Sequence, residues 1–255
     1  MTQSAAFKDH FSVQAEDYSV YRPEYPAELY AWLSSLCSER ALAWDCATGN
    51  GQAAVALTNH FSYVIGTDAS ESQIYRAMIY PRVEYEVALA HQSPLADHSA
   101  DLITVAQALH WFDFAPFFAE VQRVAKANGV LAVWCYELHQ ISPAVDAVIQ
   151  RYYDDIIGRC WPPERRHIEQ AYSQIEFPFE PIKAPSCTMT KQWTFKHLVG
   201  YLGTWSATQQ YQQQHGSDPR LQILDELQTA WGEEDTKTVT WPVTVKTFRI
   251  NPTAD

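Results

Sequence analysis

Residues 43–52, Ala43-Trp44-Asp45-Cys46-Ala47-Thr48-Gly49-Asn50-Gly51-Gln52, decide the fold of this chain. The run opens apolar, as a buried strand does. It is then broken by two glycines and continues into Ala53-Ala54-Val55-Ala56-Leu57, a helix-forming stretch. Glycine permits the tight turn and lets a ligand approach the main chain with no Cβ in the way. The helix that follows offers unpaired N–H groups and a partial positive charge at its start. Strand, glycine turn and helix together read as a nucleotide-binding unit, although Gly-x-Gly alone is a weak signal.

Downstream, Val64-Ile65-Gly66-Thr67-Asp68 forms a second apolar run that ends on a carboxylate nineteen residues past Gly49. An acidic side chain at that spacing, on the tip of the second strand, can accept hydrogen bonds from both ribose hydroxyls of an adenosine cofactor. It can equally cap the next helix, as Ser70 can. Further strands are expected at 83–88, 101–106 and 130–136, after 41–46 and 63–67. Helices are expected at 51–60, 70–80 and 114–127, with Asn128-Gly129 as a helix stop. Such alternation builds a doubly wound α/β sheet, mostly parallel. After Tyr136 the rhythm changes. Residues 142–176 look helical, broken by Trp161-Pro162-Pro163. A short strand is expected near 184–190, then helix over 194–232. In 238–250, Val239, Trp241, Val243, Val245 and Thr247 alternate with their neighbours, as a strand does. Upstream, Phe7, Phe11 and Ala15 share a helical face, an aromatic extended stretch covers 18–26, and 27–38 reads as helix. No repeat or linker divides the chain.

The 255 residues are 47% hydrophobic and 13% aromatic, enough for a sizeable core. Nine Trp and fourteen Tyr suit a walled pocket, and an aromatic-rich core accounts for them equally. A net charge of −12 repels phosphate backbones and argues against nucleic acid as a partner. The five cysteines are odd in number and lack metal-site spacing, so reduced thiols in a cytoplasmic protein are expected. Residues 1–8 lack the apolar region of an export signal. No run approaches the ~18 apolar residues of a membrane span, so no membrane partner is expected. A monomer and a homodimer are both compatible with the sequence.

Two cofactor classes fit the turn, since Gly49-x-Gly51-x-x-Ala54 also satisfies the looser dinucleotide pattern. Asp45 favours S-adenosylmethionine: a carboxylate there suits an ammonium group and would repel a pyrophosphate. About forty residues precede the first strand, room for a helical lid, and no second nucleotide-binding half follows the fifth strand. An NAD(P)-dependent oxidoreductase is therefore the alternative, and a non-catalytic S-adenosylmethionine-binding protein is a third reading.

The chain resembles the class I S-adenosylmethionine-dependent methyltransferases, in particular the small-molecule branch of trans-aconitate methyltransferase-like enzymes. The residues that carry the likeness are 7–26, 45–52, 66–68, 93–102 and Gln107-Ala108-Leu109-His110-Trp111-Phe112-Asp113. The resemblance implies a seven-stranded sheet whose last strand is antiparallel. It implies a single methyltransferase domain over 1–255, with a helical lid (1–40), a cofactor core (41–137), a mostly helical substrate-covering insertion (142–235) and the last strand (238–250). It also implies roles. Asp45, Ala47, Thr48, Gly49, Asn50 and Gly51 would line the methionine part. Asp68 would hold the ribose, Ala69 would sit beside the adenine, Ala90 and His91 would face the adenine ring, and Gln73 is a further cofactor-binding candidate. Gln107 and Ala108 would lie under the sulfonium, with Tyr18 and Arg22 in the lid. Ala47 stands where the family usually has its first glycine, and His91 where an acidic residue is common.

His110 is the candidate general base, and a shaping hydrogen bond at the turn is its competing role. Arg22, Trp111, Tyr136, Trp161, Tyr201 and Trp205 are the candidate acceptor contacts. Arg22 and Arg165-Arg166-His167 are candidates for an anionic acceptor, against a solvated charged face. The expected product is S-adenosylhomocysteine. The expected acceptor is a small molecule, with a carboxylate among the candidates, and the sequence leaves O-, N- and C-transfer open.

Overall fold

The computed structural model describes residues 21–251. The expected helix through Phe7, Phe11 and Ala15, the lid residue Tyr18 and much of the 1–40 segment lie outside the described residues. Strand β1 (Leu42–Cys46) runs through the centre of the sheet, and β2 (Tyr63–Asp68), β3 (Val83–Val87), β4 (Ala100–Ala106) and β5 (Ala125–Tyr136) lie parallel to it or to one another. Their order is β3-β2-β1-β4-β5, so the winding reverses between β1 and β4. Ligands bind in the crevice opened by such a reversal, beyond the carboxyl ends of the strands.

Why these runs become central strands follows from the period of two. On β5, Val130, Ala132 and Trp134 enter one buried cluster, while Leu131, Val133 and Cys135 enter the other. On β4, Leu102 and Ile103 divide in the same way. Apolar residues on both faces demand cover on both faces. Helices supply it: α1 (Ala27–Ser35), α2 (Gln52–Leu57), α3 (Glu71–Tyr75) and α4 (Phe114–Val124).

β8 (Lys237–Ile250) is the expected antiparallel last strand and pairs with β5 from Tyr136↔Val243 to Gly129↔Ile250. The order β3-β2-β1-β4-β5-β8-β6 has the seven positions expected, but eight strands fill them. The outer edge of β8 is covered by β6 (Glu180–Ile182) and β7 (Cys187–Trp193), which pair with its two ends. Pro185, with no N–H to give to a ladder, lies in the gap between them. The single strand expected near 184–190 is thus two.

Three expected boundaries also shift. Helix α4 stops at Val124 and the chain enters β5 at once. Asn128-Gly129 is no helix stop but part of an irregularity inside β5, where the pairing jumps from Ala100↔Ala125 to Leu102↔Val130 and Asn128 takes φ 62°. The helix expected over 70–80 ends at Tyr75.

The segment after β5 holds α5 (Pro143–Arg151), one turn of π-helix (Tyr152–Ile156), α6 (Arg165–Glu169), α7 (Phe195–Gly203), α8 (Ser206–His215) and α9 (Leu224–Trp231), besides β6 and β7. Among the described residues no helix is long and apolar enough to cross a membrane. All five cysteines are free thiols, four of them buried and Cys187 half-buried.

Candidate functional site

The turn between β1 and α2 is held from both sides. Gly49 and Gly51 take φ of 56° and 86°, left-handed values that glycine adopts without cost. Below the turn, Asp45 is buried to 1% exposure. The Thr48 hydroxyl donates to it at 2.6 Å and the Thr104 hydroxyl at 2.8 Å. The Ala54 amide adds a third donor. Burial nonetheless pushes the Asp45 carboxyl up to about 6. Asp45 therefore braces the turn from beneath, through Thr48.

Asp68 grips the other side. Its two oxygens accept from the Gly49 amide and the Ser70 amide, each at 2.9 Å. Of the two candidate caps, Ser70 caps α3, accepting from the Gln73 amide, while Asp68 ties that helix start to the glycine turn. Gln73 faces Gly49, with its Oε1 3.9 Å from where a Cβ would stand. Ala69 is half-buried beside Asp68, and Ala90 and His91 sit in the turn closed by Leu89 and Gln92 after β3.

Across the crevice, Gln107 ends β4 in a left-handed conformation, φ 55°. Its side chain accepts from the Tyr136 amide at 2.8 Å, which joins the tips of β4 and β5. Ala108 follows, buried at the start of a short 3-10 turn (Leu109–Trp111). His110 is 6% exposed, packs 4.6 Å from the Trp111 ring and faces the Tyr172 hydroxyl with Nδ1 at 3.4 Å. Burial, with the nearby Arg165 charge and His167, pushes its pKa down to about 3.

Beyond these tips lies one cavity, and Arg22, Trp111, Tyr136, Trp161, Tyr201 and Trp205 all line it, together with Gln107, His110 and Arg165. Residues from the segment before β1, from the strand tips and from the segment between β5 and β8 each contribute. Arg22 bonds the Tyr136 hydroxyl at 2.6 Å and the Thr204 carbonyl at 3.2 Å, and lies 5.4 Å over the Tyr201 ring. Arg166 and His167 do not line this cavity, and Arg166 is exposed.

Residues 44–133 match the methyltransferase domain family. A Dictyostelium discoideum protein described as a methyltransferase is 35% identical over 233 residues, 90% of this chain and 89% of its own length. A chain from Anaeromyxobacter dehalogenans, described as a type II methyltransferase, has 41% identity and a TM-score of 0.85, covering 91% of this chain and 99% of that one. The chain belongs to the class I S-adenosylmethionine-dependent methyltransferases. A Bacillus halodurans structure at 17% identity and TM-score 0.50 shares the fold.

The methyltransferase's turn fits its cofactor class. Asp45 and Asp68 set two carboxylates at the turn, and the charge on Asp68 helps to raise the Asp45 pKa. That field suits a cationic sulfonium and ammonium and opposes a pyrophosphate. Among the described residues no group of three metal-ligating side chains occurs.

Ala47 explains its own oddity. It takes φ 55°, in the left-handed region where a side chain costs about 1–2 kcal/mol. The family glycine at this position is a conformational requirement rather than a matter of space. Ala47→Gly should therefore raise Tm by ~1–3 °C, once the greater freedom of glycine in the unfolded chain is subtracted. Binding of S-adenosylhomocysteine should change less than about threefold, since the strain is present with or without ligand. A lower Tm by calorimetry would show that the Ala47 methyl contributes packing worth more than the strain.

Two features of the site escape the sequence. Tyr85 on β3 lies across the underside of both Gly51 and Gly66. The Val83-Glu84-Tyr85-Glu86-Val87 alternation was the available signal, because it places Tyr85 opposite the two glutamates. His139 is fully buried behind the cavity wall among Tyr201, Trp205 and Trp241, and neither ring nitrogen has a hydrogen-bond partner among the described residues. Nothing in the local sequence marks it.

Proposed function

We propose that this methyltransferase moves a methyl group from S-adenosylmethionine to a small acceptor bearing a carboxylate, bound in the cavity beyond Gln107 and His110. One observation carries this reading. The chain has a net charge of −12, yet the cavity is lined by two guanidiniums, Arg22 and Arg165, against one carboxylate, Glu137. Such a local reversal of charge suits an anion.

When bound, S-adenosylmethionine supplies an electrophilic methyl group on a sulfonium and leaves as the neutral thioether. The protein's work is placement and exclusion of water. Asp68, Gly49 and Gln73 would hold the adenosine end, with Ala69, Ala90 and His91 around it. Thr48, backed by Asp45, together with Ala47, Asn50 and Gly51, would face the methionine end. Gln107 and Ala108 would border the reacting methyl. Trp111, Trp161 and Trp205 supply an apolar wall with Tyr136 and Tyr201 beside it. A carboxylate oxygen then gains the methyl as the C–S bond breaks. No proton is lost, so no base is needed. A His110 held neutral, with its basicity depressed, is suited to shaping the wall rather than to taking a proton.

A screen with radiolabelled methyl donor tests the proposal. Small carboxylates should gain label and their primary amides should not. With such an acceptor, the single-turnover rate should be flat between pH 6.5 and 9, and His110→Gln should keep it within about threefold. A general base would be worth ~10²–10⁴-fold. A hundredfold loss in His110→Gln with cofactor bound would restore the base role. Label on amides or amines alone would overturn the carboxylate reading.

A further inference from the structure

The geometry points to Arg165 as the residue that reads the acceptor's charge. This inference rests on the cavity being the acceptor site, as proposed above. Arg22 and Arg165 both line it, but they are held differently. Arg22 spends one Nη on the Tyr136 hydroxyl and the other on the Thr204 carbonyl. It ties the lid to β5 and to the end of α7. Arg165 spends only its Nε, on the Tyr153 hydroxyl at 2.9 Å, and neither of its Nη atoms has a partner among the described residues. An unpaired guanidinium edge on a cavity wall is a docking edge for a carboxylate.

That edge is preorganised. The Arg165 guanidinium lies 4.7 Å over the Trp161 ring and 5.5 Å from the Tyr153 ring centre. The two rings are themselves 4.8 Å apart, and Trp161 rests against Trp205 at 5.6 Å. Tyr153 is fixed in turn: it stands on the π-helical turn and its hydroxyl donates to Glu169. A guanidinium stacked on aromatic faces and pinned at Nε loses little freedom when it binds an anion. Lysine could not reproduce this arrangement, because it lacks both the planar face and the second donor edge.

Arg165 also occupies a boundary. Together with Tyr153, Trp161 and Pro162 it lines a second, open depression on the outer surface, where the positive charge of Arg166 is balanced by Asp154 and Glu169. The same side chain therefore meets solvent on one side and the cavity on the other. An incoming anion would find it at the wall between the two. Methylation of the carboxylate cancels the charge that Arg165 reads, so the contact favours substrate over ester product.

Calorimetry on the S-adenosylhomocysteine-loaded enzyme tests this, with benzoate and trans-cinnamate as probes, each against its methyl ester. At least one acid should bind tenfold or more tighter than its ester. Arg165→Gln should reduce that ratio below about threefold and leave the affinity for S-adenosylhomocysteine unchanged. Arg165→Lys should fall between the two and serves as the folding control. No preference for either acid in the native enzyme would overturn the inference. So would a preference that survives in a folded Arg165→Gln variant. If the preference disappears in Arg165→Gln but no carboxylate is ever methylated, Arg165 remains the anion reader and the proposed acceptor reading falls alone.

Discussion

Asp68→Ala is expected to lower the affinity for S-adenosylhomocysteine by two orders of magnitude or more. Asp68 holds the Gly49 and Ser70 amides on its two oxygens, so it fixes the spacing between the glycine turn and the start of α3. Its removal leaves the Gly49 amide without this acceptor. A carboxylate oxygen accepts more than one hydrogen bond, and in the proposed binding mode the same group would also receive ribose hydroxyls. Hydrogen bonds to a charged group are worth about 1.5–3 kcal/mol each, so losing two costs ~3–6 kcal/mol of binding, or about 10²–10⁴ in Kd. Asp68→Asn should also weaken binding, because its amide NH2 would confront either Gly49 N–H or Ser70 N–H. The two contributions are separable by titrating the 2′-deoxy analogue as well. If Asp68 contacts the ribose, native enzyme discriminates between the ligands and Asp68→Ala does not. Equal loss for both ligands, with the discrimination intact, would reduce Asp68 to a brace of the turn.

The parts of this fold legible in the sequence are those where local pattern and tertiary context agree. β1, β2, β4 and β5 are apolar runs between turn signals, and burial on both faces is what such runs require. β8 was legible through its alternation. The failures share a cause. Asn128-Gly129 carries a left-handed signal that fits a helix end and an irregular strand equally well, and only the pairing of β5 with β4 decides between them. The β6–β7 edge is divided by a proline whose effect depends on there being a partner strand at all.

The site divides along the same line. Gly49, Gly51 and Asp68 were legible because a short motif fixes their relation. Ala47 was legible as an exception, and the structure supplies the reason in its φ. The cavity wall was legible as a surplus of aromatic residues and, through the family resemblance, as six candidate acceptor contacts. Its assembly brings Arg22, Trp111, Tyr136, Trp161, Tyr201 and Trp205 together from across the chain. Between the two arginines the sequence offered no choice, because what separates them is the set of acceptors each one meets.

The second large effect is expected at Gly51, and it follows from Tyr85. A Cβ on Gly51 would stand 2.0 Å from the Tyr85 Oη and 2.8 Å from its Cζ, and the backbone there has φ 86°. The ring packs against both glycines, since its Cδ1 lies 2.8 Å from where a Cβ on Gly66 would be. Gly51→Ala therefore combines left-handed strain with a clash that must displace the Tyr85 ring, β3 or the turn. The first is worth about 1–2 kcal/mol and overpacking adds typically 1–3 kcal/mol. A loss of ~2–5 kcal/mol in stability is expected, visible as a drop in Tm and in the urea midpoint. Tyr85→Phe alone should be neutral or mildly stabilising, because the hydroxyl is buried with no hydrogen-bond partner among the described residues. Combined with Gly51→Ala it should recover about 1 kcal/mol or more, by removing the nearest contact while the Cζ contact and the strain persist. A double-mutant cycle by denaturant titration measures that coupling. Zero coupling would mean that the clash is relieved by movement of the turn itself, and Gly51→Ala should then lose cofactor binding out of proportion to its loss of stability. Coupling with cofactor affinity preserved would place the whole cost in the packing of β3 against the turn.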